Sequence, residues 1–167
     1  MKRSLIALLA AVLALPLLAL AQRPLPPQLQ KLDVSTGHWV FHGTSHSART
    51  GKTGSWSWDE HCRWSQNREF LECSFSNIWS GKPVRSLVVD TYNPARHSYW
   101  HYEIFTSNSA HPFVSQMSIA NNVWTESTPK QKIVYVWSPR RVTVKIETSH
   151  DGTHWTTVDQ GVGIKQP

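Results

Sequence analysis

The chain has 167 residues, a formal net charge of +6 at neutral pH, nine tryptophans and two cysteines. This length fits one ordinary domain with a hydrophobic core of its own. Its basic residues are scattered along the sequence, so the positive charge predicts a solvated surface and argues against a nucleic-acid partner.

Residues 1–21 have the pattern of a secretory signal peptide. Lys2 and Arg3 precede an apolar run, and Ala19-Leu20-Ala21 fits the small-x-small pattern of a cleavage site. The run is shorter than the about 20 residues of a transmembrane helix, so we expect no stable membrane span after cleavage. An uncleaved anchor is the alternative. We therefore expect a periplasmic or secreted protein.

Residues 22–36 predict a proline-rich tether followed by a short helix. Pro24, Pro26 and Pro27 prevent a helix from running through the tether. Leu29 and Leu32 are three residues apart, as on one face of a helical turn. We expect these leucines to plug one end of the fold.

From Gly37 to the end of the chain, residues 37–167, apolar and polar residues alternate with the period of β-strands. The short, consecutive turns favour pairing between neighbouring strands. We predict an all-β fold, a single antiparallel up-and-down lipocalin-like barrel of about 8–10 strands; a sandwich is the alternative. The predicted strands are a hairpin over 56–79 and segments at 38–45, 84–92, 97–106, 113–119, 123–127, 133–137, 142–149 and 154–164.

Cys62 and Cys73 lie on the two arms of that hairpin. Two cysteines in an exported chain predict one disulfide, although two buried thiols are also possible. A bridge between antiparallel strands fits best at a non-hydrogen-bonded pair, where the side chains are closer. If the bridge forms, this predicts a four-residue loop, 66–69, closed by Ser65 and Phe70.

The same pairing places one face of the hairpin toward the barrel interior. Trp58 then faces Asn77, and Glu60 faces Phe75. A buried Glu60 needs a hydrogen-bonding partner or a ligand, because an unpaired buried carboxylate is costly. The ligand-binding candidates on this face are Trp56, Trp58, Glu60, Asn77 and Trp79.

His101 and Glu103 add a second candidate pair, since they lie two residues apart on one face of a predicted strand. Asp90 could contact His101 across adjacent strands. The spacing of His38, His42 and His46 is about 13 Å per step in a strand, too far to share one ion. We predict no metal site, and the sequence contains no nucleophile, phosphate-binding or dinucleotide motif that predicts a catalytic residue.

Four segments resemble secreted bacterial proteins of a lipocalin-like, calycin-type barrel family of unestablished function. They are the Gly-x-Trp start at Gly37, the Arg-Glu-Phe-Leu segment at 68–71, the Tyr-Asn-Pro turn leading into 92–100, and the closing segment 149–155. Gln66 and Asn67 stand where such families often have two glycines. The resemblance implies a barrel fold and leaves the function open.

The sequence therefore predicts an exported barrel that binds a small apolar or aromatic ligand in its interior. One alternative is a haem-binding barrel resembling nitrobindin, although the glycine-rich continuation after Gly37-His38-Trp39 is absent. Another is a small secreted enzyme that uses a buried Glu and His. A last one is a partner-binding surface protein with exposed Trp124 and Trp137.

Overall fold

The computed structural model describes residues 24–47, 50–79, 82–106 and 112–167. The predicted signal peptide lies outside these residues. Within them, the helical segments consist of α1, Pro27–Gln30, and a 3₁₀ turn, Asp33–Ser35. None of the helices in this part of the chain is long and apolar enough to cross a membrane.

The helical segment closes one end of the fold. It begins at Pro27, inside the stretch predicted as an extended tether, because proline has a helix-compatible φ and needs no N–H partner in the first turn. Leu29 and Leu32 are buried, as their spacing predicts, and Leu25 is buried with them. Three hydrogen bonds attach the segment to the barrel. Trp39 Nε1–H donates to the Ser35 carbonyl and the Tyr99 hydroxyl donates to the Gln28 carbonyl, both over 2.8 Å, and Trp64 Nε1–H donates to Asp33 Oδ1 over 2.9 Å.

Ten antiparallel strands form a closed barrel in which each strand pairs with its sequence neighbours and β1 pairs with β10. This confirms the predicted all-β, up-and-down barrel with a short N-terminal helix. The strands are β1 Gly37–His46, β2 Thr53–Trp64, β3 Leu71–Trp79, β4 Lys82–Asn93, β5 Ser98–Phe105, β6 Phe113–Ala120, β7 Val123–Ser127, β8 Gln131–Ser138, β9 Arg141–Thr148 and β10 Thr156–Lys165.

The β2–β3 hairpin has the predicted register. Cys62 pairs with Cys73 and the two form a disulfide whose Cα atoms are 4.0 Å apart, as expected for the closer, non-hydrogen-bonded type of pair. The Ser65 N–H donates to the Phe70 carbonyl over 2.9 Å and closes the four-residue loop 66–69. Both the bridge and the longer loop are therefore confirmed.

Two sequence expectations are wrong. The last strand begins at Thr156 rather than at residue 154, because the Asp151 carboxylate accepts hydrogen bonds from the backbone N–H groups of Thr153 and His154 and extends the turn. Trp124 and Trp137 are not exposed aromatics. They are 4% and 5% exposed and pack on each other inside the barrel, with ring centroids 4.9 Å apart.

Candidate functional site

The barrel encloses a cavity of about 420 Å³. It extends from Ser35, in the helical segment that closes one end, to Asn77, Phe105 and Phe113 near the opposite ends of their strands. This volume lies in the range of small-molecule sites, about 300–1,000 Å³. The interior is therefore open rather than filled with side chains.

Aromatic rings form much of the cavity wall. The Trp58 ring lies between those of Phe41 and Phe75, with centroid distances of 4.7 and 5.5 Å. Trp56 stacks on Trp58 at 4.3 Å. The aromatic residues that line the cavity include Phe41, Trp58, Phe75, Phe105, Phe113 and Trp124.

Two glycines on neighbouring strands make room for the Trp56 indole. A Cβ atom at Gly43 would lie 2.0 Å from the Trp56 ring, and one at Gly161 would lie 2.4 Å from it. Both positions face the barrel interior, so any side chain there would displace the ring. The stack on Trp58 thus depends on these glycines as well as on the hairpin.

A cluster of ionisable side chains lies against this aromatic wall, and we call it the inner cluster. His101 Nδ1 is 2.9 Å from Asp90 Oδ1 and 3.7 Å from Glu126 Oε1. Its members all line the cavity and come from five different strands: Glu60, Asp90, His101, Glu103, Glu126 and Tyr135.

His101 is held as a cation in this cluster. Burial alone lowers the pKa of the imidazole. The negative charges of Glu126 and Asp90, together with the hydrogen bond to Asp90, outweigh this effect and raise the pKa to about 10. The attraction to these nearby negative charges exceeds the cost of burying the imidazolium, because the protein interior screens charges poorly. The side chains of His101, Asp90 and Glu126 are 11%, 8% and 5% exposed.

The glutamates of the cluster instead favour their neutral form. Burial raises the pKa of Glu126 and of Glu103, although each accepts a hydrogen bond that favours its charged form: Ser115 Oγ to Glu126 Oε2, 3.2 Å, and Ser86 Oγ to Glu103 Oε1, 2.6 Å. Burial also raises the pKa of the Tyr135 hydroxyl well above its ordinary value. The cluster therefore favours protonated acids around one imidazolium.

Glu60 has a strongly raised pKa. Burial, followed by the negative charge of Asp90, raises its pKa to about 7. Its Oε1 atom lies 3.2 Å from Cys62 Sγ. A bridged sulfur carries no hydrogen and accepts only weakly, so this contact is available to the protonated carboxyl alone. Glu60 is thus a buried acid poised to change charge near neutral pH.

Among the described residues that line the cavity, three side-chain polar atoms lack a hydrogen-bond partner: Trp58 Nε1, Asn77 Oδ1 and Trp137 Nε1. Trp58 and Asn77 are directly opposite each other on β2 and β3, and both line the cavity. Buried polar groups normally have partners. A donor and an acceptor are thus free at this wall.

The structure brings together most of the site predicted from the sequence. Trp58, Glu60, Asn77, His101 and Glu103 all line the cavity. Trp56 stacks on the Trp58 ring and is not among the residues that line the cavity. For Trp79 the structure describes the backbone only.

Sequence reasoning left three members of the inner cluster out of the site: Asp90, Glu126 and Tyr135. Each stands two residues from an apolar residue that also faces the cavity. Alternation along the strands therefore places these residues on the inward face. A search for acidic residues on an otherwise apolar inward face would have identified Asp90 and Glu126.

A second set of histidine and carboxylate side chains lies on the outside of the barrel, and we call it the outer cluster. His38 and His61 are cross-strand neighbours whose rings stack with centroids 3.9 Å apart. The Nε2 atoms of both are 3.0 Å from the Asp59 carboxylate. Their ligand atoms lie within 4.8 Å of one another, a spacing that could hold a metal ion. The hydrogen bonds of both histidines to Asp59 explain why the three side chains lie close together, and no metal ion is needed for this.

Neither a protein-family model nor a curated protein matches the sequence. A solved structure does resemble the barrel. This chain is similar in fold to Rv2717c from M. tuberculosis. The TM-score is 0.60 at 13% sequence identity, over 86% of this chain and all of the other. A likeness at this identity concerns the fold alone, so any function must be argued from the cavity.

Proposed function

We propose that the protein binds one small molecule with an apolar or aromatic body inside the barrel. The observation that carries this proposal is the 420 Å³ aromatic cavity with an ionisable cluster at its wall. Ligand sites combine apolar walls with a few convergent polar groups. The groups that would orient the ligand are Glu60, Asn77, His101 and Glu103, with the indole N–H of Trp58.

We further propose that the barrel belongs to the lipocalin-like group and acts in the periplasm or outside the cell. The Cys62–Cys73 bridge supports export, because disulfides persist in oxidising compartments. The apolar segment and cleavage pattern of residues 1–21 support the same placement.

The test is to fill part of the cavity with a larger side chain at a strand position that faces it. Val88 faces the cavity, whereas Val89 follows it on β4 and faces the other way. N-phenyl-1-naphthylamine, an apolar fluorescent probe, should bind the mature protein with 1:1 stoichiometry. Val88→Phe should weaken this binding by about tenfold or more, because the added ring occupies the cavity.

Val89→Phe is the matched control and should leave probe binding unchanged. Circular dichroism and a cooperative thermal transition should establish that both variants are folded. Equal binding by the two variants, or no saturable binding to the unmodified protein, would show that the cavity is not a ligand site.

Acid–base catalysis is a second candidate, favoured by Glu60. A carboxyl with a pKa of about 7 in a cavity is suited to exchange protons with a bound substrate at neutral pH. Glu60→Gln should then abolish turnover of any substrate while leaving its binding largely intact. Equal turnover by the variant would exclude this role.

Haem does not fit the residues that face the cavity. An axial histidine must offer a neutral ring nitrogen to iron. Of the described histidines, His101 lines the cavity, and its Nδ1 is bound by Asp90 in a cluster that holds the ring protonated. The carboxyl-rich wall would also repel the haem propionates. We therefore expect no Soret shift when haem is added to the mature protein.

A further inference from the structure

The inner cluster contains more acidic than basic groups. Four carboxyl groups face the cavity, on Glu60, Asp90, Glu103 and Glu126, against the single imidazole of His101. Among the described residues that line the cavity there is neither a lysine nor an arginine. One imidazolium can balance one carboxylate, so a bound cation is what would allow a second carboxyl of this cluster to ionise.

We propose that the ligand is an organic cation, a protonated amine carried on an aromatic or apolar body. This inference rests on the ligand-binding function proposed above and specifies its chemistry. A neutral or anionic ligand of the same shape would meet the same aromatic walls. It would gain no charge pairing with the surplus carboxyls, and an anion would be repelled by those that are ionised.

The hydrogen bonds of the inner cluster indicate where the cation would sit. Asp90 and Glu126 are the carboxyls next to His101, at 2.9 and 3.7 Å, so the imidazolium already lies beside both of them. Glu103 accepts a hydrogen bond from the Ser86 hydroxyl, whereas the polar contact of Glu60 is with the bridged sulfur of Cys62. The ammonium group would therefore lie between Glu60 and Glu103.

Neighbouring side chains suit both ends of such a ligand. The rings of Trp58, Phe75 and Phe105 also line the cavity and offer faces that attract a cation. The unpaired carbonyl oxygen of Asn77 can accept a hydrogen bond from an ammonium N–H. The apolar body would occupy the space between the aromatic walls.

Binding of a cation should release a proton. The groups that act electrostatically on Glu60 are Asp90, Glu103 and Glu126, which raise its pKa, and His101, which lowers it. The Tyr135 hydroxyl opposite them stays neutral. An ammonium beside Glu60 favours the carboxylate, so below about pH 7 the carboxyl must lose its proton as the ligand binds. Affinity should therefore rise with pH up to about pH 7.

Isothermal titration calorimetry of the mature protein tests this with three ligands that share one ring system. They are tryptamine, a cation, tryptophol, its neutral analogue, and indole-3-acetate, an anion. Tryptamine should bind about tenfold or more tighter than tryptophol, and indole-3-acetate weakest. Titrations at about pH 6 in two buffers of different ionisation enthalpy should show release of close to one proton per tryptamine.

Glu60→Gln should remove the proton release and most of the preference for tryptamine over tryptophol. Glu72→Gln is the matched control, since Glu72 lies on the same hairpin but faces outward beside Arg63, 3.9 Å away. It should behave as the unmodified protein. Glu103→Gln should weaken tryptamine binding without removing the proton release.

Two results separate the inference from the function on which it rests. If the three indoles bind equally, or indole-3-acetate binds tightest, the ligand is not a cation although the cavity binds ligands. If none of them binds, and the naphthylamine probe does not bind either, both proposals are wrong. If Glu60→Gln loses the proton release but still prefers tryptamine over tryptophol, Glu60 is not the carboxyl that binds the ammonium group.

Discussion

The inner and outer clusters contain the same chemical groups in two environments. His101 and Asp90 lie 2.9 Å apart inside the barrel, and His38 and Asp59 lie 3.0 Å apart on its outer surface. The inner side chains are 11% and 8% exposed, whereas the outer ones are 33% and 42% exposed. Nearly equal distances thus correspond to unequal interaction energies, because water screens the outer pair.

Strand β2 carries both environments in consecutive residues. Asp59 points outward to two histidines, and Glu60 points inward to the cavity. Alternation along a strand makes this possible without any change of backbone conformation. The difference between the clusters is therefore set by the side of the sheet, and substitutions on each side can measure it.

The largest effect is expected from His101→Leu. Removal of the imidazolium leaves Asp90 and Glu126 buried without a cation, which should destabilise the protein by about 3–5 kcal/mol near neutral pH. The loss should shrink as the pH falls, because burial favours the protonated form of Glu126. Urea denaturation at several pH values measures it. His61→Leu in the outer cluster is the control and should cost less than about 1 kcal/mol. Equal losses would mean that burial does not separate the clusters.

Glu60 should give the free protein a stability that falls with rising pH. Its folded pKa of about 7 lies above the ordinary value of 4.5. A raised pKa favours the protonated form, so this stabilisation is complete below pH 4.5 and is lost as the pH rises through 7. The shift corresponds to about 3 kcal/mol at most. The raised pKa of His101 acts in the same direction at higher pH, up to about 10.

Thermal or urea denaturation between about pH 4.5 and 7.5 measures the Glu60 contribution. Glu60→Gln should reduce the slope of this part of the stability profile, whereas Glu72→Gln should keep it. A profile that is already flat in the unmodified protein would contradict the buried, uncompensated state of Glu60.

Reduction of the disulfide should lower stability by about 2–3 kcal/mol, because the bridge restricts the unfolded chain across a short loop. Cys62 and Cys73 join the two strands of the hairpin on its inner face. The pH dependence due to Glu60 should persist after reduction, since burial is its main cause. Comparison of oxidised and reduced protein in urea measures both effects. Loss of the pH dependence on reduction would show that the bridge itself sets the environment of Glu60.

The sequence was sufficient for the hairpin because its determinants are local. Alternation fixed the faces of β2 and β3, and the requirement for a non-hydrogen-bonded cysteine pair fixed the loop at 66–69. The Asp90–His101 contact was also foreseeable, since these residues pair directly across β4 and β5. Neighbouring strands joined by short turns leave few possible registers.

The rest of the inner cluster could not be derived in this way. Glu60 on β2 and Glu126 on β7 influence each other across the barrel, and no turn length relates their strands. The outer cluster was missed for a related reason. Spacing along one strand excluded a shared site for His38 and His42, but His38 meets His61 from the next strand. Contacts between strands depend on closure and register, which spacing within one segment does not contain.

The smallest effect is expected from Asp59→Asn. It removes the carboxylate that the His38 and His61 rings share, but all three side chains are at least one-third exposed. Exposed ion pairs contribute about 0.2–1 kcal/mol and are weakened by salt. The cost of this substitution in urea denaturation should therefore be below about 1 kcal/mol and should decrease further in about 1 M NaCl. Asp90→Asn is its matched counterpart inside the barrel, where salt should have little influence on a larger loss. A large, salt-independent loss for Asp59→Asn would place the outer cluster in the same energetic class as the inner one.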